Sequence, residues 1–306
     1  MRALLVVNPH ATATTQRERD VLARALGSET KVDVAETEGR GHAIALARSA
    51  RDDDVDLIVA LGGDGTVNEV VNGLLSDGRR GDLPALAVVP GGSANVFGRS
   101  LGLSTDPIEA TSDILDALRA GRSRRVGLGL ADDRWFLFNA GVGFDADVVH
   151  RVEARRHEGV DASAGLYLRS ALTEFLMHSD RRHPALSVHA GDARHDKLYF
   201  VIVSNTTPWS FFNRRAITLS PRASFDTGLD VVATRSMRTS TLARWIPQIF
   251  RADPHLRGRA LVAEHDLPSF VVTASRPIGL QVDGDYLGKR TSVTFSAHPR
   301  VLRVVA

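Results

Sequence analysis

The feature that most constrains this chain is a strand that ends in a glycine turn and leaves it as a helix: Leu57-Ile58-Val59-Ala60-Leu61-Gly62-Gly63-Asp64-Gly65-Thr66-Val67-Asn68-Glu69. Val67, Val70, Val71, Leu74 and Leu75 then follow at i, i+3, i+4, i+7 and i+8, the spacing of an amphipathic helix. Glycines let backbone amides approach an anion without Cβ obstruction, and a helix start adds N–H donors aligned with its dipole. The Gly62-Gly63-Asp64-Gly65-Thr66 string therefore reads as a nucleotide-phosphate loop, with Thr66 adding a hydroxyl. A carboxylate beside phosphate is repelled unless it holds a cation or takes a proton, so Asp64 is a candidate Mg²⁺ ligand and catalytic group. The plain alternative is that Asp64 caps the helix.

The same construction recurs at Val88-Val89-Pro90-Gly91-Gly92-Ser93-Ala94-Asn95, where Ser93 is either a phosphate-contacting hydroxyl or an ordinary N-cap. Ligands of open α/β sheets gather at the carboxyl ends of the strands, so both turns can serve one nucleotide. Thr37, in Thr37-Glu38-Gly39-Arg40-Gly41-His42, follows a further strand and is a weaker candidate for the same ligand.

Around these turns the first 120 or so residues alternate short β-branched runs (Ala3–Val7, Lys31–Ala35, Val55–Leu61, Leu86–Val89) with helical patterns (Gln16–Leu26, His42–Arg48, Val67–Leu75). This is the rhythm of a parallel α/β sheet. From about Arg125 the pattern changes to strand-like runs at Trp135–Asn139, Leu186–His189, Leu198–Ser204, Leu229–Ala233, Phe270–Thr273, Ile278–Val282 and Ser292–Phe295. Helices are expected only at Gly165–His178 and Thr239–Arg251, the second interrupted by Pro247, so this half reads as mostly antiparallel β. The expected domains are 1–125 and 126–296, with 297–306 returning to the first. The absence of a Gly/Ser or Pro linker predicts close packing with a cleft.

Composition narrows the function classes. The 306 residues are 43% hydrophobic and carry a net charge of +2, too little to imply nucleic acid as a partner. Three of the 38 basic residues are lysines (Lys31, Lys197, Lys289), an arginine excess that a coding bias explains. Cysteine is absent, which removes disulfide scaffolds, thiolate metal sites and cysteine nucleophiles. No window approaches about 18 uncharged apolar residues, so a cytoplasmic chain with at most peripheral membrane contact is expected.

With GGDGTVNEVVNGL, PGGSAN, TEGRGHA, FNAGVGFDADVV and VDGD in hand, the chain resembles the diacylglycerol kinase catalytic family. That family includes bacterial lipid kinases and sphingosine kinases and is distantly similar to NAD kinases and phosphofructokinases. The resemblance implies an N-terminal α/β nucleotide domain, a C-terminal β-sandwich domain, ATP and Mg²⁺ as cofactors, and transfer of the γ-phosphoryl group to a lipid hydroxyl, diacylglycerol being the leading acceptor. It also implies that Gly62 to Asn68, with Val67 and Asn68 among them, cradle the phosphates, that Thr37 and Ser93 contact ATP, and that Asp285, in Asp283-Gly284-Asp285, is the general base where relatives carry Glu. Without it, Asp-Gly is a common turn pair.

Two departures bear on metal binding. Gly127 stands where relatives often have an Asp that supports the Mg²⁺ network, and Thr227 replaces an Asp in a secondary metal loop, leaving Asp226 as its candidate ligand. Leu166, Leu168, Leu172, Phe175, Leu176 and Met177 could line an acyl-chain pocket but read mostly as simple core, and Thr239–Arg251 reads equally as an interfacial segment or a packed helix. The expected partners are ATP and a lipid at the membrane surface, with a homodimer compatible with the pattern. The alternatives are a kinase for a soluble acceptor, as NAD kinases are, and a catalytically weak nucleotide- or lipid-binding regulator.

Overall fold

The computed structural model describes residues 1–11, 16–76, 83–158, 164–178, 180–212, 215–251 and 256–306. The chain divides into two compact units, Met1–Val126 with Arg300–Ala306, and Gly127–Pro299.

The first unit is built from β1 (Arg2–Val7), α1 (Gln16–Gly27), β2 (Lys31–Glu36), α2 (His42–Asp52), β3 (Leu57–Gly62), α3 (Asp64–Leu74), β4 (Ala85–Pro90), α4 (Val96–Ser100) and α5 (Pro107–Arg119). Its strands lie in the order β2-β1-β3-β4, all parallel. Every residue of β3 and β4 is buried, as expected of strands covered on both faces. One face packs Leu5, Leu57, Val59, Leu61 and Val89 against Leu22 and Leu26 of α1 and Ile114 and Ala117 of α5. The other carries α2 and α3, whose buried residues include Ala43, Ala47, Val67, Val70, Val71 and Leu74. These two helices meet at Gly73, where a Cβ would collide with the Ile44 carbonyl oxygen.

Helix α5 was not anticipated from periodicity, yet its start carries a clear signal. Asp106 caps the N–H groups of Ile108 and Glu109 at 2.8 and 3.0 Å, and Pro107 occupies the first helical turn.

The second unit is a β-sandwich. Its elements are β5 (Arg124–Ala131, entering from the first unit), β6 (Arg134–Phe136), β7 (Asn139–Gly143), α6 (Phe144–His157), α7 (Ala164–Thr173) with a π-helical turn at Glu174–His178, β8 (Leu186–Ala190), β9 (Ala193–Leu198) and β10 (Phe200–Ser204). Then follow β11 (Ser210–Phe212), β12 (Arg215–Ile217), β13 (Leu229–Thr234), α8 (Thr239–Ile249), β14 (Leu261–Leu267), β15 (Ser269–Val282) and β16 (Asp285–Val304). Antiparallel pairing runs β14-β13-β10-β7-β15-β16, with β8 also on β15.

Alternation along β10 shows how the layers form: Val201 and Val203 enter the sandwich core, while Phe200 and Ile202 face Phe175 of the π-helical turn and Trp245 of α8. Helix α8 runs through Pro247 to Ile249, so the expected interruption does not occur; the proline sits in the last turn, where it removes a single intrahelical bond. FNAGVGFDADVV, read only as a family string, forms β7 and opens α6. The end of β16 returns to the first unit, where Val304 pairs Leu86.

The Gly73 contact gives a direct stability test. Gly73→Val forces α2 and α3 apart, and an expected loss of about 1–3 kcal/mol should appear as a lower denaturant midpoint at unchanged slope.

Candidate active site

In the first unit the carboxyl ends of β2, β1, β3 and β4 are joined in turn by three further hydrogen bonds. The Thr37 N–H donates to the Val7 carbonyl (2.8 Å), the Asn8 N–H to Leu61 (3.0 Å) and the Gly91 N–H to Gly62 (2.9 Å). Thr37 and both glycine turns are thereby gathered at one sheet edge. The turns touch backbone to backbone: a Cβ on Gly92 would stand 2.6 Å from the Gly63 Cα, and one on Gly62 would stand 2.7 Å from the Thr66 hydroxyl.

Two carboxylates on α3 tie the neighbouring helix starts to it. Asp64 accepts from the N–H groups of Val96 (2.9 Å) and Phe97 (3.1 Å) at the start of α4. Glu69 accepts from Gly41 (2.8 Å) and Ala43 (3.2 Å) at the start of α2. Asp64 thus caps a helix, but not its own. Its surroundings raise its carboxyl above the ordinary value, burial outweighing the two N–H donors and the Arg99 charge.

The other candidates divide by exposure. Thr37 and Thr66 are buried, with the Thr66 hydroxyl accepting from the Asn8 amide at 3.2 Å. Val67 and Asn68 are buried within the helical layer, Asn68 accepting from the Asn72 amide. Gly65 and Ser93 are exposed. Ser93 is not the N-cap of α4; that position is Asn95, at φ 47°, whose side chain accepts from the Gly92 N–H (3.0 Å) and donates to the Gly92 carbonyl (2.7 Å).

In the second unit the Asp283-Gly284 turn joins β15 to β16, with φ of 48° and 86° at its two residues. Asp283 is buried and accepts from the N–H groups of Leu137 (2.7 Å), Phe138 (3.1 Å) and Asn139 (3.1 Å). Asp285 is half-buried, 3.6 Å from the Arg134 guanidinium. The two acids of the DGD string therefore differ: the first is buried and anchors the turn, and the second is partly exposed beside Arg134.

Nearby on α6, burial lifts the Asp145 carboxyl to about 6, against a hydrogen bond from Gln281. Asp147 is also raised to about 6, by burial and the Glu174 charge, with Lys289 and His150 opposing. Sequence reasoning singled out neither Asp145 nor Gln281 as a site residue, nor Glu69.

Gly127 is explained by space. A Cβ there would lie 2.6 Å from the Phe225 carbonyl oxygen, which already accepts the Gly127 N–H at 2.8 Å. Asp226 is exposed, and the Thr227 hydroxyl turns back to the Ser224 carbonyl (3.1 Å). Among the described residues no group of three or more His, Asp or Glu side chains forms a metal-holding cluster. Phe175 is core, Leu172 and Met177 are exposed, and the side chains of Leu168 and Leu176 lie outside the described residues. No described helix is long and apolar enough to cross a membrane.

Comparison with known families decides the relationship. Residues 2–131 match the diacylglycerol kinase catalytic domain, and residues 139–306 match the YegS C-terminal NAD kinase beta sandwich-like domain. The chain belongs to the diacylglycerol kinase family, with a YegS-type C-terminal domain.

Among its relatives, a diacylglycerol kinase of Staphylococcus epidermidis is 37% identical over 142 residues, covering 44% of this chain and 42% of that protein. One of Staphylococcus carnosus is 30% identical over 156 residues, 50% and 49% of the two chains. The matched stretch thus spans less than half the length of either relative. The fold is shared over a longer span with a diacylglycerol kinase structure from Bacillus anthracis: TM-score 0.72, 17% identity, covering 99% of this chain and 96% of that one. An Archaeoglobus fulgidus NAD kinase solved with ATP shares it more distantly, at TM-score 0.55 and 13% identity over 100% and 94% of the two chains.

Two substitutions separate anchoring from chemistry in the second unit. Asp283→Ala strips three buried N–H groups of their acceptor and should cost at least about 3 kcal/mol in denaturation. Gly127→Asp should cost about 1–3 kcal/mol by overpacking against the Phe225 carbonyl.

Proposed function

We propose that the protein transfers the γ-phosphoryl group of ATP to a lipid hydroxyl, with diacylglycerol as acceptor and phosphatidic acid as product. The observation that carries this reading is the pair of glycine turns packed backbone to backbone at the carboxyl edge of a parallel sheet, in a chain of the diacylglycerol kinase family.

ATP is assigned to that edge, where the first-turn N–H groups of α3 and the exposed Ser93 hydroxyl supply donors for phosphate, with Thr37 and Thr66 beside them. Mg²⁺ fits the donor set in a limited way. Each Asp64 oxygen keeps a lone pair beyond its N–H bond, so Asp64 would be the single protein carboxylate, in the manner of an ion held mainly by phosphate oxygens and water. When bound, it neutralises charge on the phosphates. We assign Asp226 no part in transfer.

The acceptor is assigned to the second unit. As the lipid oxygen bonds to the γ-phosphorus and the bond to the ADP oxygen breaks, the hydroxyl proton passes to Asp285. That carboxylate suits the task because it is partly exposed, while Asp283 is buried and engaged by three backbone donors.

The deciding experiment incubates the chain with labelled ATP, Mg²⁺ and a total lipid extract, in parallel with NAD, and identifies the labelled product. Labelled phosphatidic acid is the expected result; labelled NADP without any lipid product supports the soluble-acceptor reading instead. Asp285→Asn should lower kcat by about a hundredfold or more while leaving ATP-induced thermal stabilisation intact. Gly63→Leu should abolish that stabilisation.

A further inference from the structure

Gln281 is 2% exposed, and its whole amide is engaged. Its Nε2 donates to Asp145 Oδ2 (2.6 Å) and Asn139 Oδ1 (3.1 Å), and its Oε1 accepts from the Gly284 N–H (2.9 Å). These partners dictate its orientation: a flipped amide would set its oxygen against two acceptor oxygens and its N–H₂ against a donor. Asn139 is fixed in turn, its Nδ2 donating to the Trp209 carbonyl at 2.8 Å. Asp145 reaches Gln281 across Gly141, where any Cβ would collide with its carboxylate.

The turn that presents Asp285 is therefore held at both residues. The three N–H bonds of Asp283 fix the first. The bond from Gly284 to Gln281 fixes the second, and Asp285 follows directly, paired with Val282. We propose that Gln281 and Asp145 are positioning residues for phosphoryl transfer, setting where the Asp285 carboxylate stands by holding Gly284. This rests on the reading of Asp285 as proton acceptor. A displacement of about 1 Å at a reacting group is enough to cost a large factor in rate, so a single buried amide bond can be worth much in kcat.

The network also has a pH signature. The groups facing Asp145 are Asp147 from its own helix, Tyr167 from α7 and Gln281 from β15, and Tyr167 also feels Arg156, Glu153 and Asp285. Asp145 sits at about 6, so its carboxylate, the stronger acceptor for the Gln281 N–H, prevails at pH 7 and above. Acidification through 6 protonates it and loosens the hold on the turn. In Asp145→Asn the Gln281 N–H meets a neutral carbonyl oxygen, a weaker acceptor that does not titrate.

The test measures transfer from labelled ATP to diacylglycerol in mixed micelles by the full chain, between about pH 5 and 8.5, for wild type, Asp285→Asn, Gln281→Leu and Asp145→Asn. Gln281→Leu should lower kcat at least about tenfold with KM for ATP and ATP-induced thermal stabilisation unchanged. Asp145→Asn, a neutral acceptor at every pH, should lower kcat at pH 8 toward the level wild type reaches below pH 6, and lose the fall in rate near pH 6. If Asp285→Asn is inactive but Gln281→Leu stays within about threefold of wild type, the positioning role is overturned while the base assignment stands. If Asp285→Asn turns over normally, the base assignment falls and the positioning role with it. Should Gln281→Leu lose its folded thermal transition, Asp145→Asn decides: a fall near pH 6 identical to wild type overturns the proposal.

Discussion

The first unit depends on carboxylates set against backbone N–H groups. A parallel sheet edge brings several loops together but gives each little reason to stay, because loops carry orphan donors and few apolar contacts. Helix α3 meets that need with two of its own acids. Asp64 takes the first N–H groups of α4 and Glu69 those of α2, each bond charge-assisted and each placed where a helix dipole favours an anion. A motif with the appearance of a ligand-binding loop is thus also a three-way fastening, and the glycines complete it by letting the two turns meet at backbone distance.

This explains why the first unit was legible in the sequence and its acids were not. Strand runs, helical spacing and glycine turns are local patterns, and each local preference agrees with the parallel fold. What Asp64 touches is 32 and 33 residues away and what Glu69 touches is 26 and 28 away, so none of these partners is visible in the motif itself. The capping alternative for Asp64 was correct in kind and mistaken only in which helix it caps. Asn95 was hidden for a related reason: it holds the N-cap position of α4 in a left-handed conformation that a residue list does not reveal, with its side chain on Gly92.

In the second unit the string Asp283-Gly284-Asp285 was readable as a hairpin turn, but the division of labour between its acids was not. Asp283 finds its three donors some 144 to 146 residues earlier in the chain. Asp145 is likewise joined to Gln281 across 136 residues. Antiparallel pairing of β7 with β15 creates both connections, and such non-local register is what periodicity alone cannot supply. The missed helices α5 and α6 fail differently: Asp106-Pro107 announces α5 plainly, whereas α6 opens directly from a strand at Gly143, at φ 92°, without a side-chain cap.

Gly127 and Thr227, where the family resemblance leads one to expect Asp, have a common physical cause. Without a side chain at 127, β5 approaches the 225–228 loop backbone to backbone, and the Gly127 N–H reaches the Phe225 carbonyl. The loop closes on itself, Thr227 accepting from the Ser224 N–H at 3.2 Å and donating to the Ser224 carbonyl, while the Gly228 N–H is taken by Asp266 at 2.6 Å. An Asp at 127 would push the loop away by a side-chain width, and an Asp at 227 would lose the hydroxyl proton that closes the turn. Each residue therefore suits the close approach that the other permits. The loop's shape is accounted for by hydrogen bonds within the protein, where a chain with carboxylates at both places would bring two like charges toward one loop and need a cation to hold them together.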